Sequence, residues 1–133
     1  MHPNFTGEWR ANLAQSKIRG AQPKQVLVAI EQDGPRLIQS ITMTNSDGRE
    51  EHMTFRFSTD GQETMNSLRG QEMSTRARWA DPELVIETVL LMGDREGHFR
   101  DHWSLAADGK TLRMAHVDDD LAGQVTVLER TVV

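Results

Sequence analysis

Apolar and polar residues alternate in short runs along most of the chain, and Asp-Gly pairs separate the runs. Four segments share this arrangement, each with Asp-Gly between runs rich in Val, Ile, Thr, Phe or Met: EQDGPR, NSDGRE, STDGQE and AADGKT. Asp and Gly tolerate the positive φ angles of two-residue hairpin turns. Together with turns in WADPELV and MGDREGH, the pattern predicts an antiparallel meander of eight to ten strands. The only helix candidate is a short one around NLAQSKIRG.

The Asp108-Gly109 turn fixes which side chains share a face of the two strands beside it. Side chains alternate along a strand, so counting outward from the loop gives the pairs on one face. These pairs are Leu105 with Leu112, Trp103 with Met114, Asp101 with His116, and Phe99 with Asp118. The face is largely apolar, and it contains the Asp101–His116 pair.

The same counting around a turn at residues 81–82 gives a face without charges. Its pairs are Trp79 with Leu84, Ala77 with Ile86, Thr75 with Thr88, and Met73 with Leu90. A four-residue loop at 94–97 then pairs Leu90 with Asp101 and Thr88 with Trp103. These registers keep the apolar faces together across three strands.

A turn at residues 47–48 gives a third uncharged face, with Thr42 opposite Met53, Ser40 opposite Phe55, and Ile38 opposite Phe57. Arg56, His52 and Gln39 then face outward. The division is less clean here, because Val26, Val28 and Ile30 fall on the charged side. The sequence therefore does not decide which face of residues 26–58 points inward. In the opposite assignment Arg56, His52 and Gln39 form an internal cluster suited to an anionic head group.

One continuous inner face over residues 1–133 predicts a single domain, an all-β antiparallel up-and-down barrel. Closure removes the unpaired edge strands of a long meander. The chain has seven Met residues and no Tyr. Flexible Met side chains indicate an interior that adapts to its contents.

Composition excludes several classes of function. The net charge is −5 without a basic stripe, which argues against nucleic acid as a partner. No apolar run approaches the roughly 20 residues of a membrane span. Cysteine is absent, which excludes disulfides and thiolate metal sites. The start MHPNFTGEW lacks the features of a signal peptide, so we expect a cytoplasmic protein, or an exported one whose leader has been removed.

Metal binding is not expected. His98 and His102 have a spacing that joins ligands on a helix, but on a strand four steps span roughly 13 Å. VDDDLAG at residues 117–123 lacks the spacing of a calcium loop, and we expect an exposed acidic loop there. The sequence therefore predicts no metal and no cofactor.

FTGEW at residues 5–9 resembles the Gly-x-Trp opening of the calycin superfamily, which includes lipocalins, fatty-acid-binding proteins and avidins. In this group the Trp closes one end of the barrel, and in lipocalins an Arg of the last strand packs across it. The resemblance, which we take to be to a bacterial-type member, assigns these roles to Trp9 and Arg130.

Two departures limit what the resemblance implies. Residues 12–24 are too few for the helix pair of fatty-acid-binding proteins. Thr126 and Leu128 stand where those proteins carry an Arg-x-Tyr carboxylate clamp. The resemblance therefore implies the barrel and leaves the type of ligand open.

Three functions fit these features of the sequence. The first is binding of a small, largely hydrophobic molecule inside the barrel, by Phe55, Phe57, Trp79, Leu90, Trp103, Met114, Asp101 and His116. The second is a hydrolase, isomerase or cyclase in which Asp101 and His116 are catalytic and transfer protons. The third is a structural or interaction module with a filled interior. Association into a homodimer is compatible with all three.

Overall fold

The computed structural model describes residues 2–18, 20–118 and 123–131, and these form ten antiparallel strands. The strands are β1 (Gly7–Ala11), β2 (Gln25–Asp33), β3 (Arg36–Thr44), β4 (Glu50–Ser58), β5 (Thr64–Leu68), β6 (Gln71–Ala80), β7 (Glu83–Met92), β8 (Arg95–Leu105), β9 (Thr111–Asp118) and β10 (Gln124–Arg130). Their order in the sheet is β4-β3-β2-β1-β10-β9-β8-β7-β6-β5. Strands that follow each other in sequence are neighbours, except at β4 and β5, and β1 pairs with β10. The result is a nearly closed up-and-down barrel, as predicted.

Helix is absent from the described residues. The stretch proposed as a short helix forms a turn at residues 13–15, and Lys17 makes an isolated bridge to Val125. The same ranges hold no helix long and apolar enough to cross a membrane.

β4 and β5 lie at the two ends of the sheet order. In the described residues no ladder of backbone hydrogen bonds joins these two strands, and side chains connect them instead. The Asn66 carboxamide accepts a hydrogen bond from the backbone N–H of Arg56 at 2.8 Å and donates one to the Arg56 carbonyl at 2.9 Å. Nearer the β5–β6 turn, Arg69 donates to Glu51 at 2.7 Å. We call this junction the seam.

The core fills one end of the barrel, which we call the closed end. Buried aromatic and aliphatic side chains from both halves of the chain meet there: Phe5, Trp9, Ile30, Leu37, Phe57, Leu84, Trp103, Leu112 and Leu128. Phe5, from the segment before β1, is fully buried and contacts the Trp103 ring edge to face at 5.6 Å. The N-terminal segment therefore acts as a plug.

Trp9 and Arg130 lie as the resemblance implies. The Arg130 guanidinium lies 4.3 Å from the centre of the Trp9 ring, and it donates to the carbonyls of Thr6 and Gly109. The Trp9 indole N–H donates to the Phe5 carbonyl at 3.0 Å. Gly7 has φ +146°, and a Cβ there would overlap Arg130 Nη1. Glycine is thus required where the first strand passes under the arginine.

Two of the predicted registers are confirmed. All four pairs counted from Asp108-Gly109 are found between β8 and β9, and all four pairs counted from residues 81–82 are found between β6 and β7. Counting from this turn therefore gives the Asp101–His116 pairing correctly.

The register predicted from residues 47–48 is wrong by one residue. β3 and β4 are joined by a five-residue loop, 45–49, in which Asn45 and Gly48 make the internal backbone hydrogen bonds. Ile41 therefore pairs with Met53, and Gln39 with Phe55. A shift by one residue exchanges the two faces of a strand.

On β3 this exchange brings Leu37, Gln39 and Ile41 inward and turns Ile38, Ser40 and Thr42 outward. Val28 pairs with Ile41 and Ile30 with Gln39, so the apolar face of β2 joins them. Phe55 and Phe57 face inward as predicted, whereas His52 and Arg56 are exposed.

The loop predicted at 94–97 is also wrong. β7 and β8 are joined by a two-residue turn at Gly93-Asp94, so Leu90 pairs with Gly97 and Thr88 with Phe99. The error amounts to four residues. Because four is even, each side chain keeps its predicted face.

Candidate functional site

A cavity of about 310 Å³ lies in the barrel interior above the core. Its inner end is formed by Trp103, and it extends toward the end of the barrel where β9 leads into β10. The lining residues are Gln39, Ile41, Phe55, Phe57, Leu68, Met73, Thr75, Ile86, Thr88, Phe99, Asp101, Trp103, Met114, His116, Gln124 and Thr126. This volume is at the lower end of the range for small-molecule sites, roughly 300–1,000 Å³.

Asp101 and His116 are the ionisable side chains of the described lining. The His116 Nδ1 atom lies 2.8 Å from Asp101 Oδ1, and both side chains are about one-quarter exposed. Phe99 packs beside the imidazole, with ring centres 5.0 Å apart. A carboxylate bonded to one ring nitrogen fixes the position and tautomer of the imidazole. The pair can therefore hold a polar ligand group in a defined place.

Neutral polar side chains supply the remaining hydrogen-bonding groups of the wall. Gln39, Thr75 and Thr88 are buried, and Gln124 and Thr126 are half-buried at the start of β10. Thr75 also accepts from Asn66 at 3.4 Å, so the wall is connected to the seam. Hydroxyl and amide groups both donate and accept, which suits an uncharged polar group.

Among the described residues, the Lys and Arg side chains lie outside the cavity. Every Lys and Arg in the described ranges is exposed except Arg130, which is half-buried over Trp9 at the closed end. Arg56 and His52, the internal cluster of the opposite face assignment, are on the outer surface. The anion-binding cluster considered from the sequence is therefore not formed by these residues.

Six of the eight predicted binding residues line the cavity: Phe55, Phe57, Asp101, Trp103, Met114 and His116. Trp79 does not, because its ring lies outside the plug, stacked on His2 at 4.3 Å and on Phe5 at 5.9 Å. Leu90 does not, because the short β7–β8 turn places it opposite Gly97, beyond Thr88 and Phe99.

Most of the polar wall was not predicted from the sequence. The one-residue register error places Gln39 on the outer face. The sequence pattern places Thr75 and Thr88 on an inner face but gives them no binding role. Their signal was a pair of hydroxyls placed opposite each other on an otherwise apolar face. Thr126 was noted only for its place in a missing clamp.

The histidines outside the cavity are bonded to carboxylates. His98 lies 3.4 Å from Glu96, and His102 lies 3.0 Å from Glu83. No group of three or more His, Asp or Glu residues that could hold a metal is found in the part of the chain that is described. In the acidic segment 117–123, residues 119–122 lie outside the described ranges, so its prediction is untested.

Comparisons with known proteins support the fold. No protein-family model and no curated protein matches the sequence. A secretory abundant heat soluble protein from Ramazzottius varieornatus matches with TM-score 0.68 and 11% identity, over 95% of this chain and 94% of that one. Secretory abundant heat soluble protein 4 from the same organism matches with TM-score 0.67 and 11% identity, over 96% and 95%.

A fatty-acid-binding protein from Schistosoma mansoni, solved in complex with arachidonic acid, matches with TM-score 0.65 and 13% identity over 96% of both chains. At this level of identity the similarity concerns the backbone. The chain therefore has a calycin-like barrel of the kind found in fatty-acid-binding proteins.

Proposed function

We propose that the protein binds a small, largely apolar molecule in the barrel interior. The observation that carries the proposal is the cavity of about 310 Å³ bounded by aromatic and aliphatic side chains. Apolar walls with a few convergent polar groups are typical of small-molecule sites. The ligand's apolar part would lie against Phe55, Phe57 and Trp103, and its polar group beside Asp101 and His116.

Support also comes from how the space is enclosed. The plug and core fill the closed end, so the cavity does not run through the barrel. The similar Schistosoma protein was solved in complex with a lipid, arachidonic acid. A calycin-like barrel with interior space is thus suited to a lipophilic guest.

The proposal is tested by closing the cavity from inside. Thr88 is 5% exposed and lines the cavity, so Thr88→Trp would fill much of it. Thr54→Trp is the matched control, because Thr54 is exposed on the outer face of β4. The probe is the uncharged dye N-phenyl-1-naphthylamine, whose fluorescence rises in apolar surroundings.

We expect the wild type and Thr54→Trp to bind the dye alike, and Thr88→Trp to bind at least tenfold more weakly. Thr126→Phe, which fills the cavity from β10, guards against a folding defect in the first variant. Circular dichroism checks that each variant is folded. A wild type that does not bind the dye, or folded cavity variants that bind it normally, would contradict the proposal.

A second candidate function rests on the 2.8 Å bond between Asp101 and His116 inside the cavity. A carboxylate-bound imidazole beside a ligand site has the geometry of a general base. For such an enzyme, Asp101→Asn would lower turnover by orders of magnitude while binding changed only a few-fold. Turnover of short acyl esters, compared between wild type and Asp101→Asn, separates this candidate from simple binding.

A further inference from the structure

We infer that the cavity prefers a lipophilic amine over a fatty acid of the same chain length. The inference rests on the proposed function and adds the chemical class of the ligand. It follows from the balance of charge in the wall, where the described residues supply a carboxylate but no Lys or Arg to receive another carboxylate.

Asp101 and His116 are the only ionisable side chains among the described residues that line the cavity. With Asp101 ionised, the pair carries a charge of −1 when His116 is neutral and 0 when it is protonated. In neither state is the pair positive. A ligand carboxylate would therefore lose its hydration without gaining a partner of net positive charge, which is unfavourable.

An ammonium group meets the opposite situation. His116 lies at one carboxylate oxygen of Asp101, and an ionised carboxylate has acceptor sites for further donors. Asp101 is 24% exposed, so the carboxylate is accessible from the cavity. An ammonium group placed beside it would form a charge-assisted hydrogen bond, which is stronger than a neutral one.

Other polar wall groups do not reverse this preference. Thr75, Thr88 and Thr126 carry hydroxyls, and Gln39 carries a carboxamide, and these accept from an ammonium as readily as they donate to a carboxylate. Arg130, the one described Lys or Arg that is not exposed, is engaged with backbone carbonyls at the closed end. Selection between the two head groups therefore depends on Asp101.

The experiment compares octylamine, 1-octanol and octanoate as competitors of N-phenyl-1-naphthylamine at pH 7.5 and low ionic strength. The three share one apolar chain and differ in the charge of the head group. We expect octylamine to bind at least tenfold more tightly than octanoate, with 1-octanol between them. Equal or tighter binding of octanoate would overturn the inference.

Two variants test whether Asp101 causes the selection. Asp101→Asn should reduce the ratio of amine to acid affinity at least fivefold. Thr126→Arg should improve octanoate binding by adding a cation to the wall. Asp33→Asn, at the exposed β2–β3 turn, is the control for Asp101→Asn, because it changes the net charge by the same amount. An unchanged ratio in Asp101→Asn would overturn the assignment.

The outcomes also separate this inference from the proposed function. If the dye binds in the cavity and none of the three competitors displaces it, the ligand class is wrong and the binding function stands. If the dye itself does not bind to the wild type, the proposed function fails and the inference fails with it.

Discussion

Asn66→Ala tests how the barrel is held together at the seam. Asn66 is 8% exposed, and its carboxamide forms two hydrogen bonds with the backbone of Arg56, as a neighbouring strand would. Alanine removes both bonds and leaves an unpaired N–H and carbonyl on β4. The change is therefore equivalent to deleting one pair of ladder bonds from the barrel.

The magnitude follows from these two bonds. A typical intramolecular hydrogen bond contributes about 1 kcal/mol net, so the pair contributes about 2 kcal/mol. The longer contact from Asn66 to Thr75, at 3.4 Å, adds little. Both hydrogen bonds are only partly buried, so water can reach the freed groups and the larger penalty of full burial does not apply. For a chain of this size, about 2 kcal/mol lowers the melting temperature by roughly 8 °C.

Thermal unfolding followed by circular dichroism measures the loss, and hydrogen exchange of the Arg56 amide locates it. Ser67→Ala is the control on the same strand, because Ser67 is exposed and its truncation should cost less than about 0.5 kcal/mol. The Arg56 amide should exchange much faster in Asn66→Ala only. If Asn66→Ala melts within about 2 °C of Ser67→Ala with slow exchange at Arg56, the proposed role of Asn66 at the seam is refuted.

Two further predictions concern the closed end and the seam. Gly7→Ala should destabilise the protein by roughly 2–4 kcal/mol in urea unfolding, because it strains the backbone and displaces Arg130. Gly48→Ala, with φ +90° and open space around it, should cost less, and equal costs would contradict a role for Arg130. The hydrogen bond from Arg69, and a further one from a neighbouring asparagine, lower the pKa of Glu51 below its ordinary value of 4.5, so its ionised form stabilises the folded state. That contribution is present above pH 4.5 and is lost as the pH falls through the lowered pKa of Glu51 in the folded state. The difference in melting temperature between wild type and Glu51→Gln should therefore shrink between pH 6 and pH 3. A constant difference would argue against a stabilising role for ionised Glu51.

The parts of the fold that were predictable from sequence are those with even-length turns. Asp108-Gly109 lies within one hairpin, and counting from it placed Asp101 opposite His116. The loop predicted at 94–97 is centred two residues from the actual turn at Gly93-Asp94, which shifts the pairing by four residues, yet the inward residues are still identified. Turn chemistry indicates where a hairpin reverses, and the face of each side chain depends only on whether the count is odd or even.

The β3–β4 loop shows where counting from a turn fails. Asp47-Gly48 has the composition of a two-residue hairpin turn, but the loop has five residues, with Asn45 closing it through its backbone. Nothing in the local composition distinguishes this loop from the Asp108-Gly109 loop between β8 and β9. The apolar residues of β2 carried the information, because Val28 and Ile30 fit inside only if β3 turns Gln39 and Ile41 inward. Agreement across three strands is a stronger constraint than one turn.

The same register determines the chemistry of the cavity. With Phe55 inward and Arg56 outward on β4, the residue contributed by β3 at this level is Gln39 and not Ser40. The wall thus gains a neutral carboxamide, and the cationic cluster considered from the sequence lies on the outer surface. Since no described cation faces inward, Asp101 is left to set the sign of charge that the cavity accepts. A shift of one residue in a surface loop therefore separates a site for anions from a site for amines, and the competition between octylamine and octanoate measures which of the two the barrel is.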